Sequence, residues 1–147
     1  MTPPNIERFN ELTGNIFAFL YEQFPLPKLL KPEKFIEGGK DAAFDTNSPS
    51  GAGPTEATDF FVATVEWLNV EGYVSYKNMG HFDFREAVLT SKSLAILNGI
   101  PASLENTESL GDRLTSAAKS GASEIIKTIA RETIGIGIHV LVASSRL

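Results

Sequence analysis

The sequence predicts an α+β chain, mostly α, with one β-hairpin and a long C-terminal helix. Three observations predict it. Apolar residues recur at helical spacing from about Asn5 to Gln23, and again from Pro54 to Glu71. Between Tyr73 and Thr90, "YVSYK" and "FDFREAVLT" alternate on either side of the turn "NMGH", as paired strands do. After Pro101, small and aliphatic residues repeat at helical intervals within a segment of balanced charge.

The first helix begins after Pro3 and Pro4 and ends at "FPLP". Its stripe is Ile6, Phe9, Ile16, Leu20 and Phe24, widened by Leu12 and Phe17. Gly14 in mid-helix costs about 1 kcal/mol against Ala, which predicts a close packing contact there. A short helix follows around Pro32 to Glu37 and stops at Gly38 and Gly39. "FDTNSPSGAGP", residues 44–54, reads as an exposed, flexible loop. Its glycines do not form a phosphate cradle, because no Gly-Lys-Ser/Thr closes it.

The second long helix has Pro54 in its first turn and Gly72 as its stop. Ala57, Phe61, Val65 and Leu68 form one stripe, and Phe60, Ala63, Trp67 and Val70 a second beside it. A stripe this wide predicts that most of the helix is buried, with Glu56, Asp59, Val62, Glu66 and Asn69 left for solvent. The hairpin comes next. Thr90 or Ser91 then caps a short helix through Leu97, closed by Asn98-Gly99.

A helix ending "WLNVEGYV", a hairpin, then "LTSKSLAIL" resembles the winged helix-turn-helix superfamily, especially multiple-antibiotic-resistance-regulator-like domains. The positions that carry the resemblance are Leu68, Gly72, Tyr73 and Val74, then Leu89 and Thr90, within about Pro54 to Leu97. It implies a winged helix with a β-hairpin wing, whose second long helix would occupy the place of a DNA-reading helix. Charge argues against that use. From Pro54 to Thr90 the acids Glu56, Asp59, Glu66, Glu71, Asp83 and Glu86 face only Lys77 and Arg85. A helix in the major groove needs donors at base edges and cations on phosphates. If nucleic acid is bound after all, Asn69, Lys77 and Arg85 are the expected contacts.

The length and composition suit one core. The expected division is a winged-helix-like domain over 1–100 and a helical extension over 101–147. One helix from about Ala102 into the 130s or beyond is expected, with Leu110, Leu114, Ala117, Gly121, Ile125 and Ile129 on one interaction face. That face packs on its own domain or pairs with a second copy as a homodimer; binding to a membrane surface is the third reading, weakened by the lack of a basic polar face. "TIGIGIHVLV" is ambiguous between helix and strand, and is read as continued helix.

The chain has no cysteine, which removes disulfides, zinc–thiolate sites and thiol nucleophiles. Its two histidines lack ligand partners at metal spacing. His81 is expected solvated or packed on the hairpin, and His139 hydrogen-bonded inside a core or interface. No Gly-x-Ser-x-Gly occurs. The expectation is therefore no catalytic residue, no metal and no cofactor. "MTPPNIERFNEL" lacks the features of a secretory signal, and "IGIGIHVLVA" is shorter than the roughly 20 residues that span a bilayer. The expected compartment is the cytoplasm. The expected function is a non-enzymatic regulatory or protein-interaction module binding itself or another protein. The alternative is a DNA-binding transcriptional regulator, disfavoured by a net charge of −5.

Overall fold

A computed structural model describes residues 4–99 and 108–145, with side chains as far as His139. Helix α1 (Pro4–Gln23) lies at the centre of the packing. Ile16, Phe17, Ala18 and Leu20 are buried on it, together with Asn10, Thr13 and Gly14. Ile6 is 44% exposed and Phe24 36% exposed, so the apolar stripe overruns the core at both ends of the helix. Strand β1 (Lys28–Leu30) follows, then two single-turn helices, α2 (Pro32–Phe35) and α3 (Lys40–Ala43).

The loop over 44–54, expected to be flexible, is closed at its base by a two-stranded ladder. Strand β2 (Phe44–Asp45) pairs antiparallel with β3 (Gly53–Pro54). Inside it, Asn47 N–H donates to Asp45 Oδ1 at 2.9 Å and Gly53 N–H to Ser48 Oγ at 2.8 Å. Helix α4 (Glu56–Val70) begins at Thr55. Thr55 does not cap it with its side chain. Its hydroxyl instead donates to the carbonyl of Ala42 at 2.6 Å, and the Thr58 hydroxyl donates to that of Ala43 at 2.6 Å. The end of α3 is thereby tied to the start of α4.

Gly72, at φ +82°, turns the chain out of α4, a conformation that side chains with a Cβ rarely adopt. Strands β4 (Val74–Ser75), β5 (Asn78–Met79) and β6 (Phe84–Leu89) follow. Strand β6 is the common partner: β1, β4 and β5 each pair with it antiparallel. Thr90 then caps α5 (Ser91–Leu97), accepting from Ser93 N–H, and its hydroxyl donates to the Gly72 carbonyl at 2.7 Å. One threonine therefore joins the end of the hairpin to the turn that begins it.

The single long C-terminal helix is corrected to two: α6 (Leu110–Ser120) and α7 (Ser123–Ser145). Ser109 Oγ caps α6 by accepting from Asp112 N–H, and Gly121 ends it at φ +73°, its N–H donating to the Ala117 carbonyl. A left-handed glycine just past the last turn is a helix stop, and beyond it the buried position is Ile126 rather than Ile125. The expected opening at Pro101 and Ala102 lies outside the described residues. "TIGIGIHVLV" is helical, within α7.

Both helices pack on α1. A Cβ on Gly14 would run into the Ile126 side chain and stand 2.8 Å from its carbonyl oxygen, so the predicted close contact at Gly14 exists and its partner is α7. Leu114, Ile126 and Ile129 belong to the same cluster as Phe17, Phe61, Leu68 and Phe84. The described part of the C-terminal segment therefore completes the one core. Each fully buried aliphatic or aromatic side chain contributes about 1.5–3 kcal/mol. The architecture is α+β, with seven helices and small antiparallel sheets among the described residues.

Candidate functional site

Helix α4 has one side in the core and one side toward solvent. Its inward side is built from Phe61, Val65 and Leu68, with Thr58 and Thr64 buried beside them. Phe61 lies against Phe35 and Phe84, and Phe84 against Tyr76, so rings from α2, α4 and the hairpin pack together. The outward side carries Glu56, Asp59, Ala63, Glu66, Trp67 and Val70. No lysine or arginine occurs anywhere in α4.

Burial of the second apolar stripe is corrected. Phe60 is half-buried, but Ala63 is exposed, Trp67 is 40% exposed and Val70 is 78% exposed. The reason is the position of α1. It covers one edge of α4, leaving an open groove of about 370 Å³ lined by Ile6, Phe9, Phe60, Ala63, Thr64 and Trp67, with Asn5 at its end. The Trp67 indole meets Phe9 edge-on at 5.4 Å between ring centroids and stacks on Tyr73 at 6.1 Å. Behind it the Tyr73 hydroxyl donates to the Ile134 carbonyl, and Lys92 Nζ sits 4.0 Å from the centre of the same ring. Burial, then the Glu71 carboxylate, push the Tyr73 hydroxyl above its ordinary pKa.

The acids along this face differ in their engagement. Glu56 accepts both arms of the Arg8 guanidinium, at 2.7 and 3.1 Å, and this hydrogen bonding holds its carboxyl below the usual range. Arg8 also lies 4.1 Å from the centre of the Phe60 ring. Asp59 and Glu66 have no ion-pair partner among the described residues.

A larger cleft of about 690 Å³ lies between α1, α2 and the start of α4, lined by Arg8, Glu11, Asn15, Lys34, Glu37 and Phe60. Its charges are mixed. Lys34 sits over the Phe19 ring at 3.5 Å, and burial, with Lys31 and Lys28 nearby, lowers its pKa.

The residues expected at a nucleic acid are brought to the hairpin, where each already has a neighbour. Asn69 Nδ2 donates to the Val74 carbonyl at 3.1 Å, which ties α4 to β4. Lys77 is 3.5 Å from Glu86, and Arg85 is 3.7 Å from Asp83.

The proposed interaction face of the C-terminal helix is split by the structure. Leu110, Leu114, Ala117 and Ile129 are buried in the chain's own core, so they are not available to a partner. Gly121 is the exposed break between α6 and α7, and Ile125 is 46% exposed.

His81 stacks on Phe44 at 6.3 Å and meets Phe82 edge-on, which makes it part of the hairpin packing. His139 is exposed, contrary to expectation, because the buried stripe of α7 runs through Ile126, Ile129, Ala130, Thr133 and Gly137 and leaves it off. Among the described residues no cluster of three metal-ligating side chains occurs, and no helix is long and apolar enough to cross a membrane.

Compared with protein-family models, with curated proteins and with solved structures, the chain matches none. The α1–α4 groove was missed by sequence reasoning. Its signal was there in the second stripe of α4 and in Ile6, both of which were assigned to burial.

Proposed function

We propose that the chain is a winged-helix protein that acts as a non-enzymatic regulatory or protein-interaction module. The winged-helix part is supported by the order α1, β1, α2–α3, α4, hairpin, α5 and by the closure of Thr90 onto the turn at Gly72. The interaction part rests on one observation: the outward face of α4 presents Asp59 and Glu66 beside Ala63, Trp67 and Val70, with no cation in the helix. Where a DNA-binding scaffold of this kind places donors, this chain places carboxylates and apolar carbon. A homodimer would use a surface other than the one expected from Leu110, Leu114, Ala117 and Ile129, because those side chains are buried within the chain.

The experiment is duplex binding at low salt, where electrostatic attraction is strongest. The expected result is no binding to random-sequence duplex tighter than micromolar. Submicromolar binding that weakens steeply with added salt would overturn the reading in favour of gene regulation.

A further inference from the structure

We propose that the α1–α4 groove docks a basic amphipathic helix of a partner protein, its apolar side chains against Phe9, Phe60 and Trp67 and its lysines or arginines against Asp59 and Glu66. The inference rests on the interaction-module reading and gives it a site and a partner chemistry.

The groove floor is apolar and open, and nothing else in the described chain fills it. Exposed aromatic surface of this kind, rimmed by polar groups, marks interaction sites. Along α4 the lining residues Phe60, Ala63, Thr64 and Trp67 extend over two turns, about 10 Å at 1.5 Å per residue. That span matches anchors at i, i+3 or i+4, and i+7 of an opposing helix.

Charge chooses between occupants. Asp59, Ala63, Glu66 and Val70 follow one another at four- and three-residue steps, so the two free carboxylates stand on the stripe bordering the groove. The nearby cations are engaged: Arg8 with Glu56, and Lys92 with the Glu71 carbonyl at 2.7 Å. An unpaired negative rim beside an apolar floor is complementary to a helix with lysines or arginines flanking its apolar side. A second copy docked face to face about a two-fold axis would set Asp59 and Glu66 near their own equivalents. An anionic membrane surface would be repelled in the same way.

The test uses the intact chain and its only tryptophan, Trp67, as reporter. The probe is a synthetic, tryptophan-free helical peptide of about 15 residues. It carries leucines at i, i+4 and i+7 and lysines on its flanks, and a control peptide carries glutamate at every lysine position. The expected result is a saturable blue shift of Trp67 emission with the lysine peptide and none with the glutamate peptide. Affinity should fall about tenfold between low and high salt. The double variant Asp59→Lys, Glu66→Lys should exchange the preference. Ala63→Arg, which obstructs the floor at an exposed position, should abolish binding while circular dichroism stays unchanged.

No shift with the lysine peptide, or equal shifts with both peptides, overturns the proposal. So does a blue shift that grows with the concentration of the chain alone, which would place a second copy in the groove. None of these outcomes touches the broader reading, which duplex binding decides independently.

Discussion

The Tyr73 hydroxyl donates to the Ile134 carbonyl at 2.9 Å, joining the first residue after the α4 turn to the last helix across 61 positions. Gly137 makes this approach feasible, since a Cβ there would stand 2.6 Å from Tyr73 Cε1. The same ring backs Trp67, so α7 supports one wall of the groove from behind.

Replacing Tyr73 with Phe removes that bond, which the Ile134 carbonyl accepts from within the continuous helix α7, at a cost of about 1 kcal/mol in urea denaturation. It also changes the alkaline limb. The folded state holds the phenolic proton above the ordinary pKa of 10.0, so Tyr73 contributes fully below that pH and its contribution is lost as pH rises past it. The wild type should therefore lose stability more steeply above about pH 10 than Tyr73→Phe does.

Two glycine replacements should move in opposite directions. Gly14→Ala gains about 1 kcal/mol of helix propensity, but its methyl meets the Ile126 backbone carbonyl, which cannot move aside without shifting α7. Overpacking of this kind costs about 1–3 kcal/mol, so net destabilisation is expected. Gly135→Ala meets nothing within 4 Å and should stabilise by about 0.5–1 kcal/mol. Thermal unfolding of both variants against the parent checks the pair of signs.

Thr13 is fully buried on α1 and its hydroxyl has no hydrogen-bond partner among the described residues. Valine has the same shape without the desolvated oxygen. Thr13→Val should raise stability by about 1 kcal/mol, measured as a higher urea midpoint with unchanged slope.

Truncation after Asn98 should leave no cooperative fold. Leu114, Ile126 and Ile129 would be lost together, at about 1.5–3 kcal/mol each, against a total domain stability of about 5–15 kcal/mol. Near-ultraviolet circular dichroism of the shortened chain should show no fixed aromatic environment. A native-like spectrum would show that the first 98 residues hold a core without the rest.

Periodicity made α1, α4 and the hairpin legible, and local chemistry marked their ends. Gly72 and Thr90 were readable because a left-handed turn and an N-cap each demand particular residues. What stayed hidden depended on distant partners. Strand β1 is three residues long and takes its identity from β6, more than fifty residues away. The two stripes of α4 are both apolar, and only the placement of α1 beside them decides that Phe61 goes in and Trp67 stays half out. On the C-terminal side, Gly121 is a stop signal that an unbroken repeat from Leu110 to Ile129 masked. For the site, the acids Asp59 and Glu66 were correctly read as outward-facing, whereas the groove beside them required two helices to be set side by side.

Because α1 packs against α6 and α7, a segment that leaves a ribosome early is matched to segments that leave it much later. Its buried face, with Phe17 and Leu20, has no complete shelter while the middle of the chain is still being translated. Vectorial synthesis then gives the N-terminal helix no head start, and the nascent chain depends on late closure or on a chaperone to keep that face from sticking elsewhere.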